Sequence, residues 1–251
     1  MKSSLPLFLL IGGVLIVSLV GFIVFNLRSR VSEVANEEEI VTEVAPPYVT
    51  LTPNAAGQIL ALFASGINEK ADKFEYELVY NTDKGVLQGV PGTVNLEGKS
   101  SIARDLTLGT CSSGVCRYDK GVKDIKLTIR LRNNKGKLIS KFSTQVSLLS
   151  KIKDLKSEDG KFSLILDKLG KDYYVVLQTG ATPGTSPGEV VAGPYGLFAS
   201  GDVKQSGKVA LSGGAVEVYP GGSSSAYDGS KWTKLTNGAT SILGTFVAVK
   251  E

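Results

Sequence analysis

The sequence predicts an all-β protein: two β-sandwich-like domains hung from one N-terminal transmembrane helix. Three observations carry that expectation. Residues 5–27 read LPLFLLIGGVLIVSLVGFIVFNL and contain no ionisable side chain. Downstream, short runs alternate apolar and polar residues at period two, as strands with one buried face do. Gly and Pro, 29 and 9 of the 251 residues, punctuate those runs as turns.

The apolar run comes first. As a helix it reaches roughly 34 Å, enough to cross a bilayer core with some tilt. It is longer than the apolar core of a cleaved signal peptide, and Arg28-Ser29-Arg30 follows directly with no small-x-small cleavage site. An uncleaved signal-anchor over residues 1–30 is therefore expected, with the bilayer as partner of residues 5–27. Pro6 falls in the first turn, where its missing N–H costs little. The positive-inside count is tied, with Lys2 and the α-amine on one side and Arg28 and Arg30 on the other. A cysteine pair and the strand-rich composition favour an exterior compartment, which sets the N-terminus in the cytoplasm and the C-terminal domains outside.

Residues 31–47, VSEVANEEEIVTEVAPP, carry five Glu and no base, ending at Pro46-Pro47. Such a stretch repels itself and reads as an acidic linker. The first β domain is expected over 48–150. Its strands begin at 48–51. Residues 54–67 suit either a helix or a buried strand, and the strand is favoured because Gly57 and Gly66 punctuate the run and Ile59, Ala61 and Phe63 alternate. Next comes 74–80, where Phe74, Tyr76, Leu78 and Tyr80 alternate with Glu75 and Glu77. Residues 81–92 read as turns, and 93–96 and 102–108 as short strands. The clearest signal is a hairpin. Ile125, Leu127, Ile129 and Leu131 alternate with Lys126, Thr128, Arg130 and Arg132, and Asn133-Asn134-Lys135-Gly136 turns the chain. Leu138, Phe142, Val146 and Leu148 return on the same face. Polar residues on the opposite face imply a sheet with one wet side, and six or seven such strands suggest an immunoglobulin-like or fibronectin-like sandwich.

Charged residues 150–160 mark a boundary. A second, Gly-rich β domain follows over 161–251, with strands near 162–166, 173–177, 189–192, 208–211, 215–219, 231–235 and 242–249.

Charge and composition narrow the function classes. Residues 31–251 carry a net charge of +1, too little and too scattered for a nucleic-acid footprint. The chain has no His, which removes the commonest general base and metal ligand together. Gly184-Thr185-Ser186-Pro187-Gly188 matches the nucleophile-elbow spacing but lacks the helix and the His that the elbow requires. Ser150-Lys151-Ile152-Lys153 matches S-x-x-K without its partner motifs. Gly98-Lys99-Ser100 is half a phosphate loop, with Thr93 where the first Gly would stand. Asp202 and Asp228 sit in Gly-rich loops without calcium-loop spacing. No catalytic residue, cofactor or metal site is expected.

Two features remain. Cys111 and Cys116 flank Ser-Ser-Gly-Val and are read as a disulfide stapling a turn between two strands; two cysteines and no His fall short of a zinc set. Tyr195, Phe198 and Trp232 fall in or beside loops and are the candidate partner-binding aromatics, the alternative being that they plug the core. The segment TCSSGVCRYDKG, with FEYELVYNTDKGVLQGVPGT upstream, resembles a group of membrane-anchored proteins of small-genome uncultured bacteria. The resemblance covers residues 72–150 and extends to PGEVVAGPYGLF beyond, and it implies an anchor followed by β domains but no activity. The sequence thus points to a non-catalytic cell-surface protein that binds or scaffolds, through a protein or glycan partner. The alternative is a non-catalytic subunit of an envelope-spanning secretion or pilus-like assembly.

Overall fold

The computed structural model describes residues 43–221 and 231–250. The expected transmembrane helix and most of the acidic linker lie outside the described residues. What is described is all-β, with no helix.

In chain order the strands are β1 (Tyr48–Pro53), β2 (Ile59–Ser65), β3 (Lys73–Asn81), β4 (Leu87–Asn95), β5 (Ser101–Thr107), β6 (Gly109–Ser112), β7 (Val115–Tyr118), β8 (Lys123–Arg132) and β9 (Leu138–Ser150). They continue as β10 (Asp154–Lys156), β11 (Phe162–Leu166), β12 (Tyr173–Gln178), β13 (Val190–Ala199), β14 (Gly207–Leu211), β15 (Ala215–Pro220), β16 (Thr233–Lys234), β17 (Ala239–Thr240) and β18 (Gly244–Val249). All named pairings are antiparallel. They build a nine-stranded sheet β16-β15-β18-β13-β12-β9-β8-β3-β4, a three-stranded sheet β1-β2-β5, a four-stranded sheet β10-β11-β14-β17 and the hairpin β6-β7.

The division expected at 150–160 marks two hydrophobic cores, while one sheet runs through both halves. Residues 42–251 form one compact unit. The join is β9 against β12, where Ser150 faces Tyr173 and Val146 faces Leu177. Side chains alternate across a strand, so β12 serves two cores at once. Val175 and Leu177 belong to the first core with Leu51, Leu62, Phe74 and Leu127. Tyr174 and Val176 belong to the second with Leu155, Phe162, Leu197 and Phe246. The three-stranded sheet therefore covers one face of the large sheet, and the four-stranded sheet covers the opposite face further along. These layers fit a β-sandwich arrangement.

Local chemistry explains the elements. In the β8–β9 hairpin the Asn133 side chain accepts from the backbone N–H groups of Lys135 and Lys137, both at 3.0 Å. Gly136 supplies the left-handed residue, φ 76°. On the wet face Glu75 meets Arg132 at 2.9 Å and Glu77 meets Arg130 at 3.3 Å.

Three expectations need correction. In β2 the buried set is Leu60, Leu62 and Ala64, not Ile59, Ala61 and Phe63. Residues 87–92, read as turn, belong to edge strand β4, whose Gly92 leaves room for the Tyr76 ring: a Cβ there would meet it at 2.2 Å. The strand expected at 189–192 continues to Ala199, with irregular register between Val190 and Tyr195.

The chain reaches this unit beside the β8–β9 turn, where the N–H groups of Glu43 and Val44 donate to the Ile139 carbonyl and Glu43 pairs with Lys137. This arrival end also holds the starts of β3 and β9. The far end holds the turns β1–β2, β3–β4, β9–β10 and β11–β12 and the β6–β7 hairpin. Thirteen residues of β9 separate the two ends by about 40 Å.

Candidate functional site

Two of the three candidate aromatics are interior. Tyr195 lies in β13 and is 2% exposed. Its ring stacks on Phe162 with centroids 5.5 Å apart. Its hydroxyl donates to Asp159 Oδ2 at 2.6 Å and accepts from Gln178 Nε2 at 3.3 Å. Burial and the Asp159 carboxylate push that hydroxyl up to about 12. Burial alone would raise Asp159, but hydrogen bonds from Ser157, Tyr195 and the Lys161 N–H, with the Lys161 charge, hold it below the usual carboxylate range. Tyr195 is thus a strut that fastens the β10–β11 turn to the large sheet. Phe198, in the same strand, is fully buried in the first core, on the other face. Neither ring is available to a partner, and the core-plugging alternative describes both.

Trp232 is half-buried. Its indole N–H donates to the Thr185 carbonyl at 2.9 Å, and its ring meets Tyr219 edge-on with centroids 5.3 Å apart. It holds the 180–188 loop rather than joining the other two aromatics in one face.

The remaining candidates are equally local. Cys111 and Cys116 face each other in the β6–β7 hairpin and form the expected disulfide. Gly109 holds that hairpin tightly, for a Cβ there would meet the Arg117 carbonyl at 2.2 Å. The Ser186 hydroxyl donates to the Gly188 carbonyl at 2.7 Å, within its own turn. Ser150 ends β9, opposite Tyr173 in the ladder with β12. Asp202 accepts from the Lys204 N–H at 2.8 Å and shapes a turn, while Asp228 lies outside the described residues. Among the described residues no group of three or more His, Cys, Asp or Glu could hold a metal ion. At the arrival end a polar cleft of about 430 Å³ is lined by Glu43, Glu69, Lys70, Asp72, Asn133 and Ile139, without a nucleophile and base in register.

The far end differs. Eight large hydrophobic side chains are exposed among the described residues, and six of them lie there: Val86, Leu87, Val115, Tyr118, Ile152 and Leu169. The architecture gathers them. Asp83 N–H donates to the Lys120 carbonyl, which ties the β3–β4 turn to the segment after the stapled hairpin. Tyr80 donates to Asp119 Oδ2 at 2.8 Å beneath the same segment. Burial, with the Asp119 carboxylate beside it, raises the Tyr80 hydroxyl well above its ordinary value. Leu166 N–H donates to the Lys153 carbonyl, which joins the β9–β10 and β11–β12 loops. The signal missed in the sequence is the position of these residues: they lie in or beside separate turns and hairpins, and only the strand topology puts those turns at one end.

Comparison with protein-family models, with curated proteins and with solved structures finds no match.

Proposed function

We infer that this chain is a single-pass, membrane-anchored cell-surface protein that binds or scaffolds without catalysis. Its N-terminus lies in the cytoplasm, and its β unit, of immunoglobulin-like or fibronectin-like kind, stands outside and makes contact through the end opposite Glu43. One observation carries this reading: among the described residues, six of the eight exposed large hydrophobics sit at the far end, about 40 Å from where the chain arrives. Exposed apolar residues concentrated in one place mark interaction surfaces more often than scattered ones do. The absence of any His from the sequence and the self-contained hydrogen bonding of Ser186 favour binding over hydrolysis.

The test compares cells displaying the full chain with cells displaying Leu87→Ser/Val115→Ser/Ile152→Ser/Leu169→Ser, and with the arrival-end control Glu69→Gln/Asp72→Asn. Attachment to envelope fragments and to neighbouring cells should fall by about fivefold or more for the first variant and stay unchanged for the control, as expected when a few central contacts dominate an interface. Protease added to intact cells should remove the β unit. Equal attachment by all three chains, or full protection from protease before lysis, would overturn the reading.

A further inference from the structure

Two far-end loops repeat one chemical pattern. The β9–β10 loop reads Lys151-Ile152-Lys153, and the β11–β12 loop reads Lys168-Leu169-Gly170-Lys171. They are neighbours: Leu166 N–H donates to the Lys153 carbonyl at 2.9 Å, and Lys153 Nζ donates to the Asp167 carbonyl at 2.8 Å. Each presents one apolar side chain between lysines. Ile152 is 41% exposed and Leu169 is 57% exposed.

Neither apolar residue is a frayed piece of core. Gly170 sits directly on Tyr174, since a Cβ there would come within 1.9 Å of the tyrosine hydroxyl. Tyr174 is fully buried and donates to Gln205 Oε1 at 2.8 Å, so the space beneath the loop is filled and Leu169 has nowhere inward to go. Lys151 holds a left-handed backbone, φ 56°, in the reversal between β9 and β10. Leu155, two residues past that loop, takes the core position instead.

The charges are also left without a counter-ion among the described residues: none of Lys151, Lys153, Lys168 and Lys171 forms an ion pair, Lys153 donating to the neutral Asp167 carbonyl alone. The acids in the same two loops are Asp167 and Asp172. Asp172 already accepts from Gln205 Nε2 at 3.0 Å and Ser200 Oγ at 3.4 Å. Asp154, at the start of β10, is paired with Lys156. The two loops therefore carry a net charge of +2 around two exposed aliphatic side chains.

We propose that these loops dock onto an anionic phospholipid bilayer. The inference rests on the binding role assigned above to the far end. Separate loop tips, each with an aliphatic side chain between lysines, match a surface whose phosphates lie over hydrocarbon: the ammonium groups stay at headgroup level while the aliphatic groups enter the boundary. The pattern offers no groove for a peptide and no flat aromatic face for a sugar. Lysines near an anionic leaflet attract it additively, and salt screens the attraction.

The full chain is reconstituted into phosphatidylcholine proteoliposomes and mixed with fluorescent acceptor vesicles, either pure phosphatidylcholine or containing about 30 mol% phosphatidylglycerol. Anionic acceptors should be captured roughly tenfold better than neutral ones. Capture should drop about tenfold for Ile152→Ser/Leu169→Ser and again for Lys151→Gln/Lys153→Gln/Lys168→Gln/Lys171→Gln, with unchanged far-UV circular dichroism, and it should weaken between about 0.1 M and about 1 M salt. Equal capture of neutral vesicles, or capture indifferent to both variants, overturns the lipid assignment. If vesicles are ignored while cell attachment still depends on Ile152 and Leu169, the partner is not a bilayer and the binding role stands. If attachment is also indifferent, both readings fall.

Discussion

Strand β12 lets the coupling of the two cores be measured with single substitutions one residue apart. Val175 faces the first core and Val176 the second, and both are fully buried. Val→Ala removes two methyl groups at either site. Transfer terms of about 0.8 kcal/mol each, with a modest cavity term, place the cost at about 2 kcal/mol per substitution. For a unit of this size that corresponds to a fall in Tm of about 4–8 °C. Were the halves separate domains, Val175→Ala would lower only the first melting step and Val176→Ala only the second. Because β9 and β12 share a ladder from Ser150–Tyr173 to Val146–Leu177, we expect one cooperative transition, lowered by similar amounts in both variants. The assay is thermal unfolding of the full chain followed by fluorescence of Trp232, the single Trp and a reporter of the second half. Hydrogen exchange of β3 and β8 peptides reports the first half. Two separated transitions, each sensitive to one valine alone, would refute the argument that the common sheet makes one folding unit.

Two further outcomes follow. Cys111→Ser/Cys116→Ser opens a loop whose closure is worth about 2 kcal/mol in the chain-entropy model. Nearly every residue of β6 and β7 is exposed, so the loss of hydrogen-exchange protection should stay within 109–118; spread into β3 or β8 would show that the hairpin supports the core. Alkaline titration should divide the nine tyrosines. Burial pushes the Tyr48 hydroxyl up to about 12 against the opposing hydrogen bond with Thr245, and burial with Asp159 does the same for Tyr195. Tyr80 and Tyr174 are raised by burial and their neighbouring acids Asp119 and Asp172. A raised tyrosine pKa favours the neutral form in the folded state, so this stability is complete below pH 10 and is lost as pH rises towards 12. Absorbance of tyrosinate at alkaline pH should show at least these four ionising together with unfolding, and their ionisation in the folded protein near pH 10 would contradict the burial.

The sequence was most legible where one face alone is apolar. The alternation at Ile125–Leu131 and the Asn133–Gly136 turn specify β8 and β9 because a one-residue slip would bury Lys126 and Arg130. In β2 both alternating sets are apolar, Ile59-Ala61-Phe63 and Leu60-Leu62-Ala64, so period two cannot choose the inward face; packing against β1 and β5 chooses it. Strand β4 was hidden by Gly89, Pro91 and Gly92, which an edge strand tolerates because its outer side needs no donor. Strand β13 extends past the expected 189–192 through Gly193 and Pro194, which fall where the register with β18 is irregular, and such irregularities admit residues that a regular ladder would not. That one misreading placed Tyr195 and Phe198 in a loop and made core residues look like a binding face.

The same limit explains why the aromatic pattern misled and the lysine pattern went unused. A residue's type speaks to its environment only through its strand phase, and strand phase is local. Tyr195 and Phe198 are three apart, which puts them on opposite faces of one strand and in different cores. Ile152 and Leu169 are 17 apart and share no period, yet the antiparallel return from β9 through β10 and β11 to β12 brings their loops into hydrogen-bonded contact. In an antiparallel sheet protein the loops of one end come from alternate connections. A surface built from them is therefore spread through the sequence as short, isolated K-I-K and K-L-G-K fragments, each indistinguishable by itself from a solvated turn. Only the pairing order assembles them, and that order is fixed by the long-range register of the buried strands.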